Sequence, residues 1–275
     1  MTKQEKNILL ITSNYFPESS GIAVYSHDLT RYFSTMGYKV SVLTGLPYYP
    51  WWRVPEEFSY VLPGESIVGD IKVLRIKPFI PKKSWAVGRA FFELSFWFYG
   101  IRILNRQKKT KYDAVISIMP AVSAGLIGRH VSRKMQIPSV VIFQDISSLG
   151  ALQSGIHGGR FFYKAGRFLE KASSKWASRI VVVSEAMIPF VTNITKGNKR
   201  IELIHNYSII EPVTMSRSEA KAALNFDRNS FLLLHTGNMG HKQDLLNVVE
   251  AAKLLEDYRE IKFLFVGHGN QEEKI

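Results

Sequence analysis

The sequence contains no cysteine. That excludes disulfides, cysteine–zinc sites and thiol nucleophiles, and it suits a reducing compartment. No GxGxxG fingerprint follows the first apolar run, and Thr44-Gly45 rather than an acidic residue closes the second, which argues against a nicotinamide dinucleotide site. A GxxxxGK[ST] phosphate loop and a GxSxG nucleophile turn are also missing. The seven histidines show no HExxH or other ligand spacing, so no metal is expected. No apolar stretch of signal-peptide length opens the chain, so a non-secreted protein is expected. Acidic residues are scarce: 23 Asp and Glu face 36 Lys and Arg, a formal charge of +13. Such an excess calls for an anionic partner, whether nucleic acid, a phosphorylated ligand or a membrane surface.

What is present is an alternation of apolar runs and helical segments. The 275 residues, 46% of them hydrophobic, suffice for one large or two medium domains with a sizeable core. Asn7 to Thr12 is apolar on both faces, as in a buried parallel strand. A loop holding Gly21 leads into a helix from about Ile22 to Met36. On it Tyr25, Leu29, Tyr32, Phe33 and Met36 fall on one face, and Gly37 sits where a left-handed cap belongs. Tyr38 to Thr44 is a second strand. Pro47 to Pro81 reads as irregular, with Tyr48, Tyr49, Trp51, Trp52 and Arg53 on a loop and a short strand at Val73 to Ile76. Strands at Ala114–Ile118, Ser139–Phe143, Ile180–Val183 and Ile201–Ile204 then alternate with helices at Ala121–Lys134 and Arg160–Trp176 and one capped by Ser184. The Gly155–Gly159 segment reads as a flexible loop. His205 to Arg228 is the expected domain boundary. Strand, glycine turn, helix and strand recur from Phe231 to Val266. The pattern predicts an α/β protein with parallel sheets. One strand–helix–strand unit cannot cover both faces of its sheet, so the second domain reads as incomplete.

The positive charge is concentrated. Between Lys72 and Lys111 stand eleven basic residues and one acidic residue, Glu93. Inside lies Ala90 to Leu104, rich in aromatics, with Phe96 and Trp97 at its centre. It is too short and interrupted for a membrane span, which needs about 20 apolar residues. Two readings stand side by side: a helix lying on an anionic bilayer surface, or a core helix with a solvated basic rim.

The remaining signals are glycines at strand ends, where ligands of parallel sheets bind. Gly21 opens the first helix, whose free N–H groups favour an anion; the plainer reading is a turn glycine. Gly237 and Gly240 flank the entry to the second domain's helix, with Lys242 in reach of a diphosphate or simply solvated. Gly267 and Gly269 follow the next strand, in a shared cleft or a tight turn.

At these residues the chain resembles family 4 glycosyltransferases of the GT-B fold, of the bacterial exopolysaccharide, colanic-acid type. The carriers are Asn14-Tyr15-Phe16-Pro17-Glu18 with Gly21, Pro47-Tyr48-Tyr49-Pro50 with Trp52-Arg53, Phe143-Gln144-Asp145, Glu170 with Ser184, Ile204-His205-Asn206, and Thr236 to Gln243. The resemblance implies a complete N-terminal Rossmann-like acceptor domain over 1–205, a linker over 206–230, and the start of a donor domain over 231–275. It implies retaining transfer of a sugar from a nucleotide-sugar donor to a glycan acceptor, often lipid-linked, with no metal or other cofactor and no nucleic acid. The enzyme would be cytoplasmic, peripheral at the inner face of the plasma membrane. Carried over, Gln144 and Asp145 are catalytic candidates. Gly21, Gly237, Asn238 and Lys242 would hold the donor diphosphate, and Gly267 and Gly269 would line the donor cleft. Tyr48, Tyr49, Trp52, Arg53, Phe96 and Trp97 would contact acceptor or membrane. Asn238 and Gln144 stand where many relatives carry Arg and His, and the family's paired-glutamate motif would lie beyond Ile275. A non-catalytic membrane- or glycan-binding remnant and a nucleotide-sugar epimerase remain alternative readings.

Overall fold

The structure, a computed structural model, describes residues 6–19, 21–82, 86–107, 109–149, 159–197, 200–210, 212–240, 243–269 and 271–275. It falls into two compact units, Met1–Ile209 and Ile210–Ile275. The first holds strands β1 (Asn7–Ile11), β2 (Lys39–Gly45), β3 (Gly64–Val68), β4 (Ile71–Ile76), β5 (Ala114–Met119), β6 (Ser139–Phe143), β7 (Arg179–Val182) and β8 (Ile201–Leu203). Its helices are α1 (Ile22–Thr35), α2 (Ala86–Arg106), α3 (Val122–Met135), α4 (Gly159–Ser174) and α5 (Ile188–Thr195). The second holds α6 (Arg217–Ala223), β9 (Phe231–Thr236), α7 (Leu245–Leu254) and β10 (Ile261–Val266).

The first unit is one sheet in the order β3-β4-β2-β1-β5-β6-β7-β8. All its pairings are parallel except β3–β4, so every strand but β3 ends on one edge. The strand order reverses at β1 and β5, the point where doubly wound sheets open a crevice for ligands. Strand β1 explains why its sequence is apolar throughout. Leu9 and Ile11 face a cluster with Phe92, Phe96 and Ile127 of α2 and α3. Ile8 and Leu10 face the opposite cluster, which includes Leu29 and Phe33 of α1. Alternate side chains point to opposite faces, and both faces are covered.

Two sequence expectations need correction here. Helix α1 does not turn Tyr32 and Met36 to the core; they are exposed, and Ala23, Ser26 and Thr30 are the buried positions. Small residues let the helix lie close to the sheet, and the hydroxyls find partners: Thr30 Oγ1 lies 2.6 Å from the Tyr15 hydroxyl and donates to the His27 carbonyl at 2.7 Å. The stretch read as irregular contains β3, an antiparallel edge strand whose residues are mostly exposed, so no hydrophobic alternation announces it.

Helix α3 packs tightly through glycine. A Cβ placed on Gly128 would stand 2.2 Å from the Ser117 hydroxyl of β5. That hydroxyl is buried with no partner among the described residues. Gly128→Ala is therefore expected to cost about 1–3 kcal/mol through overpacking. Ser117→Ala removes an unsatisfied buried group and is expected to be neutral or stabilising. The double variant should recover most of the loss in chemical denaturation. A double variant as unstable as Gly128→Ala alone would show that the clash lies elsewhere.

The second unit is a parallel β9–β10 pair, with Phe231 opposite Ile261 and Thr236 opposite Val266. Helix α6 opens with a reciprocal capping box between Ser216 and Glu219, a device that satisfies two orphan N–H groups at once. Lys221 is buried in this unit, its ammonium bonded to the carbonyls of Arg228 and Ser230.

Candidate functional site

The loops after β1 and β2 and the strand β4 are tied together by two buried charges, Glu18 and Arg75. Glu18 accepts four hydrogen bonds. Its Oε1 takes the Asn14 side-chain amide at 3.1 Å and the Tyr48 and Tyr49 backbone N–H groups at 2.7 Å each. Its Oε2 takes the Tyr15 N–H at 3.2 Å. Burial pushes the Glu18 carboxyl above the usual range, and these bonds oppose the shift. Arg75 of β4 donates in turn to the Gly45 carbonyl at 3.4 Å and to the Phe16 carbonyl. Burial lowers its pKa, with Glu18 acting against the shift.

Next to this knot lies Gly21, at the head of α1 with φ 59°. A Cβ there would meet the Tyr49 ring at 3.4 Å. The positive φ disfavours any other residue, and the missing side chain leaves the α1 terminus open beside the Tyr49 ring. The structure thus brings two sequence candidates together. Arg53 is exposed on the same loop. Trp52 is half-buried, its ring tilted against that of Tyr48 with centroids 5.6 Å apart, with the Arg89 guanidinium 5.4 Å from its ring centre.

Two candidates for acceptor or membrane contact are core residues instead. Tyr48 is 5% exposed and Phe96 is fully buried; both belong to the cluster beneath α2, linked through Phe92. Their neighbours differ. On α2, Val87, Phe91, Leu94 and Phe98 recur at i, i+4, i+7 and i+11 and are all exposed, as is Trp97. Such spacing puts them in one stripe. Trp97, Phe98, Ile101, Arg102, Asn105 and Arg106 line an open groove. On the α3 side Trp97 meets Arg129, His130, Arg133 and Lys134 in a second. The helix is apolar on both faces because one face is core and the other is a surface patch rimmed by bases. Among the described residues no helix is long and apolar enough to cross a membrane.

At the end of β6, Gln144 accepts a 2.9 Å bond from the Asn206 side-chain amide. Asp145 is exposed, and its Oδ1 accepts the Ile146 N–H at 2.7 Å. The turn that follows is pinned by Glu170 of α4. This carboxylate, 1% exposed, takes the Ser148 N–H at 3.0 Å and its hydroxyl at 2.7 Å. Burial raises its pKa, and the charge of Asp145 adds to the rise. Asn206 and Tyr207 stay bound to the first unit, for Tyr207 donates to Asp28 at 2.6 Å and packs edge-on to Tyr25.

In the second unit, Gly237 sits at φ 142° and Gly267 at φ 151°. A Cβ on Gly267 would fall 1.8 Å from the Gly237 carbonyl, and one on Gly269 would fall 2.3 Å from that of Met239. The two turns therefore touch backbone to backbone, joined by the Gly237 N–H to Val266 and the Met239 N–H to His268, each at 2.9 Å. Gln243 closes the first turn, accepting from the Gly240 N–H at 3.2 Å, with the Asn238 amide 3.5 Å away. Lys242 and residues 155–158 lie outside the described residues.

The sequence reading assigned no role to Glu18 or Arg75. A signal for Arg75 existed: it follows Val73-Leu74 in the run Ile71 to Ile76, and a charge so placed must find partners if the strand is buried.

A family model described as a glycosyl transferase 4-like domain matches residues 20–206. The chain belongs to that family. Among its relatives is the Escherichia coli (strain K12) protein WcaI, named as a glycosyl transferase of colanic acid biosynthesis. It is 26% identical over 276 residues, spanning 98% of this chain and 67% of WcaI. Among solved structures, sucrose-phosphate synthase (tll1590) from Thermosynechococcus elongatus superposes with a TM-score of 0.61. The match has 13% identity and covers 96% of this chain and 71% of the synthase. Arabidopsis thaliana UGT89C1 complexed with UDP-L-rhamnose gives 0.56 at 12% identity, covering 99% and 72%. These likenesses establish the GT-B fold for the glycosyl transferase 4-like chain, with its large parallel sheet.

Proposed function

We propose that this glycosyltransferase moves a sugar, with retention, from a nucleotide-sugar donor to a lipid-linked glycan acceptor in exopolysaccharide synthesis, while resting on an anionic membrane. The observation that carries the reading is the bare Gly21 at the head of α1, walled by the Tyr49 ring on the ligand edge of the sheet. Family membership supports the transfer chemistry, and the name of WcaI supports the exopolysaccharide context. The UDP-sugar held by a structural neighbour supports a nucleotide-sugar donor.

In this reading the first unit binds the acceptor, with Tyr49, Trp52 and Arg53 beside it. The second unit binds the donor, with Gly237, Asn238 and Lys242 on the diphosphate side. Charge developing on the leaving diphosphate would be met by the N–H groups at the α1 terminus, left open by Gly21. Fixed donors aimed at developing charge are an effective source of rate acceleration. Gln144 and Asp145 stand on the same sheet edge, Gln144 oriented by Asn206. The exposed stripe on α2 with Arg102 and Arg106 would seat the enzyme on the bilayer, apolar groups inserting and bases meeting headgroups.

The test is incubation with UDP-, GDP- and TDP-sugars, with and without a lipid extract rich in undecaprenyl-linked glycans. Nucleoside diphosphate release that depends on the extract, with the product anomer unchanged by NMR, is the expected result. Conversion of donor with no acceptor would mean an epimerase. No release and no diphosphate binding by calorimetry would remove the transferase reading for this chain.

A further inference from the structure

The knot around Glu18 does more than fill space. A carboxylate withdrawn from water must recover its hydration through hydrogen bonds, and this one does so mostly from backbone N–H groups on two separate loops. Three of its four bonds converge on Oε1, and two of those come from consecutive residues, Tyr48 and Tyr49. The fourth reaches back to Tyr15, at the start of the loop that ends in Gly21. The Tyr49 ring then stands 3.4 Å from where a Gly21 Cβ would be. Its placement is set by the backbone that Glu18 holds. The opposite charge of Arg75 gathers carbonyls from the same loops, at Phe16 and Gly45.

We infer that Glu18 is the positioning residue of this ligand edge: it holds the loop carrying Tyr49 against the loop carrying Gly21 and so sets the width of the opening at the head of α1. Its effect on ligand reaches the site only through Tyr49 and Gly21. The inference rests on the proposed reading in taking that opening as the place where a diphosphate lies.

The two carboxylate oxygens have unequal work, and this yields a distinctive test. In Glu18→Gln the amide oxygen can stay on the side with three donors. The new NH2 group then faces the Tyr15 N–H, so that single bond is lost. Hydrogen exchange should show the Tyr48 and Tyr49 amides as protected as in the parent, and the Tyr15 amide exchanging at least tenfold faster. Glu18→Ala should release all three amides. Binding of uridine diphosphate to the full chain, followed by calorimetry, should weaken at least tenfold in Glu18→Ala and less than threefold in Glu18→Gln.

A purely structural role is separated by a double-mutant cycle with Tyr49→Ala. If Glu18 acts through Tyr49, the double variant binds no more weakly than Glu18→Ala alone, the non-additivity expected of coupled residues. Additive losses in binding would overturn the inference, as would unchanged protection of Tyr48 and Tyr49 in Glu18→Ala. If the parent chain fails to bind uridine diphosphate, the donor reading fails. The exchange pattern and its dependence on Tyr49 still decide whether Glu18 sets the loop.

Discussion

Phe96→Ala is expected to destabilise the first unit by about 3–5 kcal/mol, the usual cost of emptying a buried aromatic site. For a unit of this size that means a melting temperature lower by roughly 6–20 °C. Phe96 is fully buried in the cluster that holds Phe92, Leu9, Leu43 and Ile127. Two residues on, Phe98→Ala should spare stability and weaken membrane binding instead. Its ring is 54% exposed, so stability should stay within about 0.5 kcal/mol. Its affinity for phosphatidylglycerol vesicles should fall by roughly 10-fold or more, since burying such a side chain is worth about 1.5–3 kcal/mol. Thermal unfolding and vesicle co-sedimentation on both variants separate the faces of α2. A Phe98→Ala protein that binds vesicles as well as its parent would remove the membrane role of the stripe.

The second large effect concerns charge. Arg102 and Arg106 border the groove beside Trp97 and Phe98, and both are exposed. Each base close to an anionic surface contributes about 1 kcal/mol. Reversing both to glutamate changes the local charge by four, so about 4 kcal/mol of attraction disappears. That is roughly a 1,000-fold loss of partition into anionic vesicles at low salt. The difference should shrink as ionic strength rises and the Debye length falls to about 8 Å at physiological salt. Neutral phosphatidylcholine vesicles should show little difference between parent and variant. Equal loss on neutral and anionic vesicles would mean that the arginines support the fold and not the contact.

Much of the fold is legible in the residues. Continuous apolar runs such as Asn7 to Ile11 mark strands covered on both faces, and Gly37 marks the end of α1, where its N–H bonds back to Ser34 at 2.9 Å. What escapes is whatever depends on long-range partners. Strand β3 has no alternation because its side chains face water. The most deeply buried positions of α1 are Ala23, Ser26 and Thr30, which no hydropathy pattern selects, beside Leu29 and Phe33, which it does. On α2 the apolar residues are continuous around the helix, so the periodicity alone could not tell Phe96 from Phe98. At the site, Gly21 is legible as a bare helix head, yet its wall, Tyr49, is set by a bond from Glu18 across 31 positions of sequence. The pairing of Gln144 with Asn206 spans 62 positions. Neither could be read from local spacing.

The backbone contact between the turns after β9 and β10 bears on how such a protein can diversify. With the Gly237 carbonyl occupying the space of a side chain at 267, and that of Met239 occupying the space at 269, these turns behave as a single object. A library randomised at positions 237, 267 and 269 should return glycine almost exclusively after selection for folding. Variation would then have to arise at positions whose side chains already point away from this contact, and the two turns would persist unchanged while their surroundings vary.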